Sequence, residues 1–171
     1  TDESSMLNLN GQGLAKENLV RLGINNAVSR AILDYRAGKS GKGFEFIEEL
    51  FLIDGMTKDI YDTIGPYVTI YRGKDSEVNI NSAGEKVLNS VLTGNVSMVA
   101  AIIKERNKAP FESVKAIGER ISELAGLPLF SVKSDFFRIR AEPFFSEDKK
   151  PIKAVISVTD KKGNIYYWKE E

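Results

Sequence analysis

Apolar residues recur at three-and-four spacing along most of this chain and at every second position near its end, so helices should come first and strands last. Leu14, Leu19 and Leu22 predict a short helix over 14–22, which Gly23 stops. Asn25 or Asn26 caps a second helix carrying Ala27, Val28, Ala31, Ile32 and Tyr35. The glycine-dense stretch 37–43 reads as a flexible loop. Phe44 leads into a helix with Ile47, Leu50 and Phe51. Gly55-Met56-Thr57 then turns the chain, and Thr57 caps a last short helix through Ile64. Pro66-Tyr67-Val68-Thr69-Ile70-Tyr71 has the β-branched and aromatic content of a strand. Beyond a seam at Arg72-Gly73-Lys74-Asp75-Ser76, Ser82 and Glu85 form a capping box for a helix over 83–92. A partner helix covers 96–107, and 111–124 is helical with an interruption at Gly118. After Pro128 the period changes to two. Phe137, Ile139 and Ala141 make one strand, Ile152, Ala154, Ile156 and Val158 a second, and 165–168 a third, beyond a hairpin turn at 160–164. The apolar face of this meander needs a cover, from helices of the second half or from an N-terminal element absent here.

The helical part repeats itself. Leu7-Asn8-Leu9-Asn10 returns 71 positions later as Val78-Asn79-Ile80-Asn81. Ala31, Ile32 and Arg36 are echoed by Ala101, Ile102 and Arg106, and Phe44 by Phe111. Recurrence at a fixed spacing marks a duplicated supersecondary unit. The chain therefore reads as α+β: a helical module over 1–74, a related one over 75–132, and an antiparallel β segment over 133–171. Duplicated helical modules bind or scaffold more often than they catalyse.

Composition narrows the chemistry. The 171 residues are 42% hydrophobic and 28% charged, with 24 basic residues against 24 acidic ones. This neutrality weighs against nucleic acid as a partner. Histidine and cysteine are both absent, which removes Ser-His dyads, thiolate nucleophiles and ordinary zinc or iron–sulfur ligation. The start, Thr1-Asp2-Glu3-Ser4-Ser5, is acidic and unlike a signal peptide; lacking a methionine, it reads as the start of a processed or truncated piece.

Asn8, Asn10, Asn79 and Asn81 are read as structural, since Asn side chains fix turns by accepting from amides a few residues on. Gly23, Gly55 and, less well, Gly94 sit in hairpins between short helices, where backbone amides could face a phosphate. Only Gly23, between Arg21 and Arg30, has cationic neighbours in sequence; Gly55 lies beside Asp54 and Asp59. Arg21, Gly23 and Arg30 are thus the candidates for a DNA-binding alternative. The carboxylate pairs Asp2-Glu3, Glu48-Glu49 and Glu147-Asp148 lack calcium-loop spacing. Lys149-Lys150 and Lys161-Lys162 read as guards of strand connections. No catalytic constellation stands out, and no enzymatic activity is expected.

These residues resemble a known family. Asp2-Glu3 with Leu7-Asn8-Leu9-Asn10, then Ala31-Ile32-Leu33-Asp34-Tyr35-Arg36, Phe44 with Ile47-Glu48-Glu49-Leu50, Gly55-Met56-Thr57 and 66–71 followed by Val78-Asn79-Ile80-Asn81-Ser82-Ala83 look like K-type minor pseudopilins of type II secretion systems, the general secretion pathway protein K-like proteins. The resemblance implies helical modules inserted ahead of the last strands of a pilin-type sheet. It implies a periplasmic protein anchored in the inner membrane by an N-terminal helix absent here. It further implies a place at the pseudopilus tip, bound to I- and J-type minor pseudopilins and engaging exported cargo. Calcium, bound in that family near an acidic stretch, is put in question because Asp34-Tyr35-Arg36 leads here into Ala37-Gly38-Lys39-Ser40-Gly41-Lys42; no cofactor is expected. The second half also resembles helix–hairpin–helix DNA receptors of the competence type, whose Gly-Ile-Gly hairpin is replaced by Leu92-Thr93-Gly94-Asn95.

Overall fold

The structure is a computed structural model and describes residues 1–39, 42–72, 75–141 and 154–170. Helices α1 (Lys16–Arg21) and α2 (Asn26–Gly38), a 3-10 helix (Ile47–Leu52) and α3 (Lys58–Ile64) make the first module. Helices α4 (Glu85–Val91), α5 (Val96–Lys108), α6 (Val114–Arg120) and a 3-10 turn (Ser122–Leu124) make the second. Each module is closed by a two-residue parallel strand pair. β1 (Leu7–Asn8) joins β2 (Val68–Thr69), and β3 (Val78–Asn79) joins β4 (Phe130–Ser131). Strands β5 (Phe136–Ala141), β6 (Val155–Asp160) and β7 (Ile165–Glu170) form an antiparallel sheet in that order. The architecture is α+β, two helical repeats followed by a three-stranded antiparallel meander.

Local capping explains most helix starts. Asn25, Thr57, Asn95 and Ser113 each accept from the amide three residues on, satisfying a donor that would otherwise be orphaned. Helix α4 departs from the expected capping box. Its N-cap is Gly84, with no side-chain cap, and the Ser82 hydroxyl donates instead to Asp2 Oδ2 at 2.6 Å. Gly118 does not interrupt α6 but lies within it; a Cβ there would come 2.9 Å from Ala125, so glycine lets the helix pack against the turn that follows. The break falls at Ile121. The strand expected over 66–71 shrinks to Val68–Thr69 behind a 3-10 turn (Gly65–Tyr67), because the partner it pairs with among the described residues, β1, is two residues long. Phe44 is followed by a 3-10 rather than an α-helix. Ser40 and Gly41 of the expected loop, Gly73 and Lys74 of the seam, Glu147-Asp148, Lys149-Lys150, Ile152 and Lys153 lie outside the described residues.

Buried apolar side chains gather into two clusters, one per module. Leu9, Leu19, Ile32 and Leu50 lie in the first; Ile80, Leu88, Ile102 and Phe111 lie in the second. Tyr67 and Val91 pack against both. Between α1 and α4, Asn18 Nδ2 donates to the Ser90 carbonyl (2.9 Å) while Ser90 Oγ donates to the Asn18 carbonyl (2.7 Å). The cover of the sheet is the first module, not the second. Val158 belongs to the first cluster, and Phe136 and Tyr167 pack against it.

Candidate interaction surfaces

The four repeated asparagines build the same device twice. Asn8 Oδ1 accepts from the Asn10 amide, and Asn79 Oδ1 from the Asn81 amide, both at 3.1 Å. Asn10 then clasps the backbone of Phe44, accepting from its N–H (2.7 Å) and donating to its C=O (2.9 Å). Asn81 does so with Phe111 at 2.8 and 2.9 Å. The signal in the repeat that had no role assigned to it was the arginine. Arg36 Nη1 donates to the Leu9 and Gly11 carbonyls, and Arg106 Nη1 to those of Ile80 and Ala83. Burial lowers the pKa of both guanidinium groups. Gly43 was also invisible to sequence reasoning. It has φ +71°, and a Cβ there would fall 2.3 Å from Asn10 Oδ1, so glycine admits the Asn10 clasp.

Two of the three glycine hairpins, those of Gly55 and Gly94, are closed by protein side chains, and the third is open. Gly23 has φ +99°, and no atom lies within 4 Å of where its Cβ would be, so neither Arg21 nor Arg30 reaches that position. Arg21 crosses instead to the second module, where its guanidinium lies against Gly94, leaving no room for a Cβ. The sequence had left Gly94 without charged neighbours and Gly23 with two; the fold reverses this. Arg30 is exposed on α2. Gly55 (φ +78°) lets its hairpin approach Val28, 3.1 Å from the Cβ position.

The first six residues tie the sheet to both modules. Thr1 and Arg138 exchange backbone hydrogen bonds, each 2.8 Å, and Asp2 forms an isolated antiparallel bridge with Phe137, so residues 1 and 2 lie along the free edge of β5. Asp2 Oδ2 accepts from Ser82 Oγ (2.6 Å), Ser134 Oγ (2.7 Å) and Asn79 Nδ2 (3.1 Å). Glu3 is fully buried, with Arg138 Nε 2.6 Å from its Oε1. The contact is an ion pair without aligned hydrogen-bond geometry. Burial raises the Glu3 pKa, and Arg138 opposes this without cancelling it. The Arg72 guanidinium donates to the Ser4 and Glu77 carbonyls.

Among the described residues, two accessible regions adjoin the sheet. On the sheet, the row Arg138, Val158 and Tyr167 faces the first module, so the next row, Ile139, Ser157 and Trp168, faces away. Ile139 and Trp168 are 51% and 59% exposed. On the other side, a groove of about 460 Å³ runs between sheet and first module, lined by Ile47, Tyr61, Tyr71, Val158 and Tyr167. At the rim of the first module Glu49 is held by Lys39 Nζ (2.6 Å), Tyr35 Oη (2.8 Å) and the amides of Glu45 and Phe46. Burial works to raise its pKa, but these donors together bring it down to about 2. Among the described residues no three acidic groups converge to hold a metal ion, and no helix is long and apolar enough to cross a membrane.

What these elements define is a duplicated helical body built onto a small antiparallel sheet. No family model matches the chain. No curated protein matches it in sequence either. Among solved structures, a chain of the GspK–GspI–GspJ complex from the type 2 secretion system of enterotoxigenic Escherichia coli matches it with a TM-score of 0.73. The identity is 14%, over 99% of this chain and 77% of that one. The likeness is one of fold, and the fold is pseudopilin-like.

Proposed function

We propose that this chain is a minor pseudopilin of the K type, a non-enzymatic subunit that caps or starts the pseudopilus of a type II secretion system. The carrying observation is the likeness of fold along nearly the whole chain, helical repeats and sheet alike, to a component of a minor-pseudopilin complex. In this reading the partners are I- and J-type minor pseudopilins, with exported cargo as a further contact. The protein works on the periplasmic side of the inner membrane, held there by an apolar N-terminal helix ahead of Thr1. The outward sheet row with Ile139 and Trp168 supports the reading, because an apolar sheet face this open is suited to being covered.

Co-expression with the I- and J-type pseudopilins of the same organism tests it. The reading expects the three to elute as one complex and expects deletion of the gene to stop secretion. Elution of this chain alone, with secretion intact, would contradict it. So would salt-sensitive binding of duplex DNA.

A further inference from the structure

The two modules offer an internal control for surface chemistry. Phe44 and Phe111 occupy the same place, each clasped by its asparagine, and Phe46 and Ser113 are the N-cap residues of the helices that follow. Counted on from there, Phe51 corresponds to Gly118 and Leu52 to Glu119. The first module is therefore apolar at three positions where its twin is polar or lacks a side chain. All three side chains are exposed: Phe46 by 57%, Phe51 by 48% and Leu52 by 70%. They lie on or beside one 3-10 helix of six residues, about 12 Å long at ~2 Å per residue. Phe51 stacks on Tyr61 with ring centroids 4.4 Å apart, which carries the apolar surface onto α3. The buried core of the module does not need these residues, since Ile47, Leu50 and Ile53 fill it from the same segment.

The charge along this stretch is predominantly acidic. Glu45, Asp54, Asp59 and Asp62 are exposed here, and Lys58, the one basic residue between 45 and 62, is paired with Asp62. The corresponding stretch of the second module mixes signs, with Lys115 and Arg120 among Glu112, Glu119 and Glu123. An apolar patch rimmed by acid repels nucleic acid and a second copy of itself, and it complements a partner of opposite charge.

We infer that the outer face of the first module, centred on Phe46, Phe51 and Leu52, is a docking surface for a basic amphipathic segment, one whose apolar side chains are flanked by lysine or arginine. The inference rests on the contrast between the modules and stands apart from the assembly role above.

The test uses the isotope-labelled protein and three synthetic peptides on the order of 14 residues, about 20 Å of helix: one of Leu and Lys, one of Gly and Lys, one of Leu and Glu. The Leu/Lys peptide should move amide signals within 45–62 and bind more tightly than the other two. Leu52→Glu and Phe46→Ser, which install the twin's residues at exposed positions, should each weaken it by about tenfold, the scale of one interface anchor. Asp54→Lys with Asp59→Lys should do the same while leaving the apolar residues in place. Equal binding of the Gly/Lys peptide would overturn the inference by reducing it to charge. So would tighter binding of the Leu/Glu peptide, shifts spread over the whole protein, unaltered affinity in the variants, or self-association of the protein through this face.

Discussion

In the first module the Asn10 side chain is held by Phe44 and Ile70, and Arg36 reaches two carbonyls of the turn that Asn8 begins. In the second, Asn81 and Arg106 repeat this with Phe111, Ile80 and Ala83, yet Asn79 donates outward to Asp2 and Ser134, whereas Asn8 donates to the Asp75 carbonyl. The skeleton is shared and the periphery is not. A buried polar device survives duplication because each member satisfies another, so loss of one strands the rest. Surface positions carry no such obligation, and there the modules have parted: the first took the sheet as a roof and gained exposed aromatic residues.

The comparison breaks most severely at its polar centre. Asn10→Ala removes three hydrogen bonds and leaves backbone groups of Phe44 and Ile70 without partners; it should cost about 3 kcal/mol in urea unfolding. Asn81→Ala, with two such bonds, should cost about 2. Equal and negligible losses would mean that the clasps are incidental.

Val158→Ala separates the roofed module from the open one. Val158 is 1% exposed in the first cluster, and its loss should cost roughly 1–2 kcal/mol. Trp168→Ala on the outward row should fall within about 0.5 kcal/mol for the isolated chain.

Two glutamates sharpen the picture through pH. Glu49 has a folded pKa of about 2, below its ordinary value of 4.5, so its contribution is present above pH 4.5 and fades as pH falls toward 2. Glu49→Gln should therefore be less stable than the parent at neutral pH, with the gap closing across that acid window. Glu3 is shifted the other way by burial. Its folded form favours the proton, so its contribution is greatest below the ordinary carboxyl range and declines as pH rises. Glu3→Gln, compared with the parent by thermal melts, should gain relative stability with rising pH, the opposite of Glu49→Gln.

The hairpins carry the comparison to backbone conformation. Gly23→Ala and Gly94→Ala both place a side chain at positive φ, which by itself should cost about 1 kcal/mol. Gly94→Ala should cost more, because it also displaces Arg21, and Arg21→Ala should recover that excess in a double-mutant cycle.

These same residues show what was legible in the sequence. The turns begun by Asn8 and Asn79 and the caps at Asn25 and Thr57 are local devices whose partners lie within three residues, and periodicity exposes the helices between them; the clasps of Asn10 and Asn81 on Phe44 and Phe111 are remote and were not legible. The period of two and the turn at 160–164 declare the meander for the same reason, but in β5 the apolar row Phe137, Ile139 and Ala141 turns out to be the outward one, with Ile139 exposed, because Phe136 and Arg138 share the face of Val158 that meets the first module. What stayed hidden depends on remote partners. Ser82 is drawn from its expected capping role by Asp2, 80 positions earlier. Gly43 exists for Asn10, and Arg21 serves Gly94 in the other module. The strand over 66–71 was overdrawn because β propensity describes a residue's suitability, whereas β1 offers only two residues to pair with.

Native-state hydrogen exchange of the paired amides tests the shared skeleton most directly. The Phe44 and Phe111 amides donate to Asn10 and Asn81, and those of Leu9 and Ile80 donate across the short strand pairs to Thr69 and Ser131. If the two modules rest on one conserved device, each pair should show protection matched within about tenfold, roughly 1.4 kcal/mol in opening free energy. Protection in one module with exchange orders of magnitude faster at the matching amides of the other would contradict it.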